Sequence, residues 1–107
     1  MAKYKVLRTD TADSHLRRII LYIAESFGSS VALGKLDDIE KSIMLLADDP
    51  HIGMDPRYMI LRRPGYKVLV LEKNLVFYKI DETEKVVIVY AVVDQRQDYL
   101  SIILGLQ

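Results

Sequence analysis

The chain contains no cysteine and only two histidines among its 107 residues. Without cysteine it forms neither a disulfide bond nor a zinc site ligated by thiolates. His15 and His51 are too far apart in the sequence to indicate a metal centre, and no cluster of carboxylates accompanies them. His15 is instead expected to point into solvent from the polar face of a helix. The five glycines are scattered, so no glycine-rich loop is present to hold a phosphate. We therefore expect neither a metal ion nor another cofactor.

Long hydrophobic runs are also missing. No apolar run is long enough to cross a lipid bilayer, and the first ten residues, MAKYKVLRTD, lack the apolar region of a signal peptide. A chain of 107 residues is long enough for one small hydrophobic core. We expect a single domain over residues 1–107 that acts in the cytoplasm without contacting a membrane.

Neither sign of charge is in excess, since 15 lysines and arginines balance 15 aspartates and glutamates. Zero net charge argues against broad, non-specific binding of nucleic acid, which depends on neutralising many phosphates. The distribution is less even than the total, because no acidic residue occurs between positions 57 and 67. A local basic patch is therefore expected from Arg57, Arg62, Arg63 and Lys67.

Hydrophobic spacing predicts two amphipathic helices near the start of the chain. The first covers residues 12–27 and stops at Gly28, where a left-handed cap is favourable. The second begins at residues 29–30 and ends at residues 48–50. The short turn between them predicts an antiparallel helical hairpin. Gly34 within the second helix predicts close packing of this helix against the first.

Four segments of the chain are typical of strands. They are residues 4–7, 66–71, 75–80 and 86–93. The last three are joined by connections of hairpin length, so they are predicted to be antiparallel. A short helix is predicted from residues 98–106. The fold class is therefore α+β, in the order β-α-α-β-β-β-(α), with the helical hairpin covering one face of a small twisted sheet.

A basic and aromatic set remains as the candidate for function: Arg62, Arg63, Tyr66, Lys67, Tyr78, Arg96 and Tyr99. Arginine and lysine bind phosphates, and tyrosine stacks on bases. Such side chains also stabilise charge or supply an acid during RNA cleavage. Structural roles compete with this interpretation. Tyr78 is expected in the core, and Tyr99 between a helix and the sheet. Arg96 is alternatively a helix cap or a surface partner of Asp94 or Asp98.

Three segments together resemble the RelE/ParE superfamily, the toxins of type II toxin–antitoxin pairs. They are YIAESFG, KLDDIEKSIMLLADDP and GYKVLVLEKNLVFYKIDETEKVVIVYAVVDQRQDY. The resemblance spans residues 4–104 and is most specific in the last two strands and the R-x-D-Y sequence after them. It implies growth arrest by a toxin that a cognate antitoxin neutralises, assembled as a homodimer or a toxin–antitoxin hetero-oligomer. The apolar residues expected to receive the antitoxin are Leu21, Met44, Ile52, Met54 and Met59.

The superfamily has two activities, and the resemblance implies different residues for each. RelE-like members cleave messenger RNA in the ribosome without a metal, whereas ParE-like members poison DNA gyrase. For the RelE-like alternative, the implied catalytic residues are Lys67, Arg96, Arg63 and Tyr99, the last at a shorter spacing. Arg96 is expected beside the face of the sheet where Lys67 emerges.

Two charges of the RelE-like pattern are replaced by aliphatic residues. A second lysine of the same strand falls at Leu69, and an arginine that opens the middle strand falls near Leu75. RNA cleavage of this kind depends on positive charge around the scissile phosphate. The sequence therefore favours the ParE-like hypothesis, binding of DNA gyrase by protein contact. A RelE-like endoribonuclease and a non-toxic member that only binds an antitoxin are the alternatives.

Overall fold

The computed structural model describes residues 3–106. Its elements are β1 (Lys5–Arg8), α1 (Asp10–Phe27), α2 (Ser29–Met44), α3 (Met59–Arg62), β2 (Lys67–Val70), β3 (Asn74–Asp81), β4 (Val86–Asp94) and α4 (Tyr99–Leu104). Two 3₁₀ turns, Leu45–Ala47 and Pro50–Ile52, follow α2. This order confirms the predicted α+β class. It adds α3, a single helical turn that hydrophobic spacing did not indicate.

The helical hairpin forms because each helix has an apolar stripe and a defined end. Thr9 caps the start of α1, and its hydroxyl accepts a hydrogen bond from the Ala12 amide at 3.1 Å. Gly28 separates α1 from α2 with a φ of 93°, a left-handed backbone that glycine adopts without strain. The residues that the hairpin buries are Ala12, Leu16, Ala32, Ile39 and Ile43. A Cβ at Gly34 would meet nothing within 4 Å, so the predicted close packing there is wrong.

The sheet has the strand order β1-β4-β3-β2. Strands β2, β3 and β4 are antiparallel neighbours, as predicted, and β1 is parallel to β4 at the edge. Lys67 lies opposite Tyr78, and Asn74 lies opposite Asp94. The register between β3 and β4 shifts once, which leaves Tyr90 without a partner as a bulge.

Both faces of the sheet are covered. On one face the helical hairpin buries Leu16 and Ile43 against Val76 and Val89. On the other face Leu61 of α3 and Ile103 of α4 lie in a second core, with Val68, Phe77, Ala91 and Val93 of the sheet. The sequence predicted the C-terminal helix and the packing of Tyr99 between a helix and the sheet, but it did not indicate α3, whose four residues are too few to show a helical period.

Tyr78 ties the loop after α2 to the sheet. Its buried hydroxyl donates to the Pro50 carbonyl at 2.7 Å and accepts a hydrogen bond from the Gly53 amide at 3.1 Å. A Cβ at Gly53 would overlap this hydroxyl, so only glycine fits there without a shift. Burial raises the pKa of the Tyr78 phenol. The predicted core position of Tyr78 is confirmed.

Candidate functional site: a basic groove beside the helical hairpin

A groove of about 710 Å³ lies between the turn end of the helical hairpin and the end of the sheet where β3 begins and β4 ends. Helix α1 lines it with His15, Arg18 and Tyr22, which are spaced three and four residues apart on one helix face. The other walls come from the start of α2, the turn before β3 and the segment after β4. We call it the basic groove, because its charged lining residues are Arg18, Lys35, Lys73 and Arg96 against Glu72 and Asp94.

His15 supplies a missing hydrogen-bond acceptor at the edge of β4. Strand β1 ends at Arg8, and its register reaches no further along β4 than Val89. The amide of Val92 therefore has no acceptor in β1 and donates to Nδ1 of His15 at 3.2 Å. This bond assigns the proton of the neutral imidazole to Nε2. Burial lowers the pKa of His15, and nearby Arg18 lowers it further. The predicted solvent-exposed position of His15 is wrong.

Arg96 lies on the rim of the basic groove, and its side chain is 88% exposed. Its backbone amide and its Nε donate to Oδ1 of Asp94 at 2.8 Å and 3.2 Å. These hydrogen bonds lower the pKa of the Asp94 carboxyl and raise the pKa of Arg96. The pairing with Asp94, one of the two structural roles considered for Arg96, is therefore present.

Lys67 lies away from Arg96, at the level of the middle of β3 and β4. Its partner Tyr78 is paired with Val89, five positions before Asp94 on β4. At the usual rise of a strand, Lys67 is therefore about 15 Å along the sheet from the end of β4 that precedes Arg96. Nζ of Lys67 donates to Oδ1 of Asp55 at 2.9 Å, and this contact lowers the pKa of the Asp55 carboxyl. Arg96 and Lys67 are therefore not neighbours, and the expected position of Arg96 beside the face where Lys67 emerges stays a prediction.

The other two candidate residues also lie outside the groove lining. Arg63 ends α3 with an exposed side chain. The Tyr99 ring packs in the second core, with its centroid 5.7 Å from that of Tyr58 and 5.4 Å from that of Phe77. The packing role considered for Tyr99 is therefore present. The catalytic roles of Lys67, Arg63, Tyr99 and Arg96 stay predictions.

The two aliphatic replacements are parts of the hydrophobic cores. Leu69 is 9% exposed and packs in the core under the helical hairpin. Leu75 is half-buried and packs against the second core, on the other face of the sheet. Neither position carries a charge toward the groove.

Sequence reasoning missed most of the groove. Arg18, Lys35 and Lys73 come from three separate segments, and each looked like an ordinary surface residue beside an apolar stripe or in a turn. One feature of the sequence could have indicated it. Arg18 and Tyr22 lie beside the core stripe of α1 and are four residues apart, so they share one face of the helix. The arrangement offers several cations for an anionic group, together with exposed apolar surface.

Residues 3–106 lack two other features that would bear on function. No group of three or more histidine, aspartate or glutamate side chains in that range is arranged to hold a metal ion. In the same range, none of the helices combines the length and apolar character needed to cross a membrane.

The family model described as the ParE toxin of type II toxin–antitoxin systems matches residues 6–99. The chain therefore belongs to the ParE toxin family of type II toxin–antitoxin systems. No curated relative was found by sequence similarity.

Solved structures share the fold. The chromosomal ParDE toxin–antitoxin system from P. aeruginosa superposes with a TM-score of 0.72 at 18% identity, covering 86% of this chain and 96% of that chain. The toxin–antitoxin complex RelBE2 from Mycobacterium tuberculosis gives a TM-score of 0.64 at 19% identity, covering 87% and 99%. A mutant of the E. coli toxin RelE in the free state gives 0.63 at 19% identity, covering 98% and 97%. At these identities the likeness concerns the fold alone.

Proposed function

We propose that this chain arrests bacterial growth by binding DNA gyrase through protein contact, and that a cognate antitoxin neutralises it. The observation that carries the proposal is the dispersal of the charges that RNA cleavage would need. Metal-independent cleavage is driven by cations preorganised around the scissile phosphate. Here Lys67 lies about 15 Å along the sheet from the end that carries Arg96. The intervening position Leu69 is apolar and buried.

Proton transfer is also poorly served in the basic groove. A general base needs a free lone pair within reach of the proton that it abstracts. Nδ1 of His15 is occupied by the Val92 amide, and Nε2 carries the proton of the neutral ring. The Tyr99 phenol belongs to a ring packed in the second core. These placements favour a function based on binding.

The test uses the purified chain and purified gyrase. We expect the chain to inhibit supercoiling of relaxed plasmid and to bind gyrase in the absence of nucleic acid. In cells, its expression should induce the DNA-damage response and filamentation. Unchanged supercoiling at saturating toxin, together with cleavage of ribosome-bound messenger RNA, would contradict the proposal.

The groove itself favours one second candidate, action on RNA. It combines Arg18, Lys35, Lys73 and Arg96 with Tyr22, whose side chain is 68% exposed. Cations beside an exposed aromatic ring are typical of proteins that bind single-stranded nucleic acid. This candidate predicts that Arg96→Ala abolishes messenger RNA cleavage in a translation extract while antitoxin binding is kept.

The antitoxin is the proposed partner in both cases. Several large apolar side chains are exposed: Leu21 at 56%, Met44 at 55%, Met54 at 61% and Met59 at 74%. Such surface suits a peptide that folds as it binds. A saturating cognate antitoxin should raise the melting temperature of the chain, because binding to the folded state alone stabilises it. An unchanged melting temperature would contradict this assignment.

A further inference from the structure

The basic groove has an apolar lining as well as charges. Tyr22, Phe27 and Val31 are 68%, 67% and 54% exposed at its outer part. Its half-buried or exposed aliphatic side chains are Ile19, Ile23, Val31 and Ile102, whereas Val92 and Val93 are buried at its base. An open concave surface of this kind gains free energy when apolar side chains of a partner cover it.

Three of its cations make no direct contact with a carboxylate. Among residues 3–106, Arg18, Lys35 and Lys73 form no ion pair, and Lys73 acts on Asp94 only through its charge, which lowers the pKa of that carboxyl. Elsewhere Arg8 contacts Asp13 at 2.8 Å and Lys41 contacts Asp37 at 3.0 Å. Other surface cations, such as Arg17 and Arg63, also form no ion pair within residues 3–106, so the groove is distinguished by gathering unpaired cations around one concave surface. The groove therefore presents unneutralised positive charge around apolar surface, on a chain whose net charge is zero.

We propose that the basic groove is the surface that engages the target protein, and that it takes an acidic segment carrying apolar side chains. This inference rests on the proposed function. Charge complementarity selects an acidic partner, because each unpaired cation gains a carboxylate without first losing an internal one. The predominance of aliphatic residues over aromatic rings favours peptide side chains over nucleobases, which need aromatic faces for stacking.

Helix α1 offers a matched pair of positions for the test. Arg18 lines the groove, whereas its neighbour Arg17 lines a small apolar cleft with Ile20 and Leu21 on another side of the hairpin. Both side chains are exposed, so either is replaced by glutamine with little expected effect on folding. Each replacement removes one positive charge from the same helix.

The experiment measures binding of the full chain to purified gyrase. Arg18→Gln combined with Lys35→Gln should weaken binding about tenfold or more, because two charge contacts with the acidic segment are lost. A tenfold change corresponds to about 1.4 kcal/mol of binding free energy. Arg17→Gln should bind like the parent chain. Raising the ionic strength should weaken the parent chain more than the double variant, because fewer charge contacts remain to be screened in the variant. Equal binding of the double variant and the parent would overturn the groove assignment.

A bulky label in the basic groove tests whether gyrase binds there without relying on a change of charge. The chain has no cysteine, so one introduced cysteine is labelled uniquely by a bulky maleimide. Label at Tyr22→Cys should block gyrase binding at least about tenfold, whereas label at Arg17→Cys should leave it unchanged. Circular dichroism of each variant checks the fold.

The outcomes separate the two proposals. If the parent chain does not bind gyrase, the proposed function fails and the groove assignment falls with it. If the parent binds gyrase but groove variants and labels have no effect, only the groove assignment is overturned. If the groove variants instead abolish binding of a labelled single-stranded RNA and spare gyrase, the groove is a nucleic-acid site and the acidic-segment proposal is wrong.

Discussion

Two regions of this toxin are rich in positive charge, and they differ in what surrounds that charge. The segment from Arg57 to Lys67 is dense in basic residues along the chain. In the fold three of its four basic side chains have internal partners. Lys67 contacts Asp55 at 2.9 Å, and Arg62 Nε donates to the Pro56 carbonyl at 2.8 Å. Arg57 lies over the Tyr58 ring at 5.8 Å. The segment is largely a set of satisfied surface contacts.

The basic groove shows the opposite arrangement. Its cations are scattered along the sequence, but the fold places them around one concave surface. Arg18, Lys35 and Lys73 have no ion-pair partner within residues 3–106. Density of charge along a sequence is therefore a weaker indicator of a binding site than charge left unpaired beside a groove.

The largest expected effect is on growth arrest in cells, which should differ between variants of the basic groove and variants of the Arg57–Lys67 segment. Arg18→Gln with Lys35→Gln should reduce growth arrest strongly, by about tenfold or more in the dose of toxin required. Arg63→Gln with Lys67→Gln should retain it if the target is a protein. Both double variants remove two charges, so net charge alone does not distinguish them.

The reverse pattern would contradict the assignment of growth arrest to the basic groove. Loss of growth arrest in the Arg63→Gln and Lys67→Gln variant, with the groove variant still toxic, would support the RelE-like alternative. Binding to the antitoxin and thermal melting of each variant exclude misfolding as the cause.

A medium effect concerns His15 and the wall of the basic groove. His15→Leu leaves the buried Val92 amide without an acceptor, which should cost about 1–3 kcal/mol of unfolding free energy. His15→Asn should cost less, because its Oδ1 stands near the position of Nδ1 and can accept the same hydrogen bond. Urea denaturation of both variants measures the difference. Equal stability of His15→Leu and the parent chain would show that this bond contributes little.

The pH dependence of stability follows from the lowered pKa of His15. The unfolded chain binds a proton near the ordinary value of 6.5, whereas the folded chain binds it only at lower pH. The contribution of His15 is therefore complete above pH 6.5 and is lost as the pH falls from there toward the folded pKa. His15→Asn lacks this loss, so its stability relative to the parent should improve on acidification. A constant difference between pH 7.5 and pH 5 would contradict the lowered pKa.

The smallest effect is expected in the other basic region. Lys67→Ala removes an exposed ion pair with Asp55, and exposed pairs contribute little because solvent screens them. Thermal melting should change only slightly, and in 1 M salt the difference from the parent should be smaller still. A large loss of stability would show that the contact orders the loop around Asp55.

Much of the fold was predictable from local patterns. The stripes of α1 and α2, and the apolar, β-rich runs of the last three strands with their turn residues, each lie within one segment of the chain, so local sequence indicates the element. Positions that depend on other segments were predicted less well. His15 was assigned to solvent because its helix position is polar. Its actual role depends on where β1 ends beside β4, which the sequence of α1 does not contain.

The sequence by itself determined the fold class of this protein: an α+β fold, a helical hairpin on a mainly antiparallel sheet, and an arginine just after the last strand. These features follow from hydrophobic period, turn residues and local chain order. Only the tertiary structure decided which charges act together. Strand register separates Lys67 from Arg96, and the packing of the hairpin on the sheet joins Arg18, Lys35 and Lys73 to one groove. The physical reason is that contacts between distant segments depend on register and packing, and no single segment encodes them.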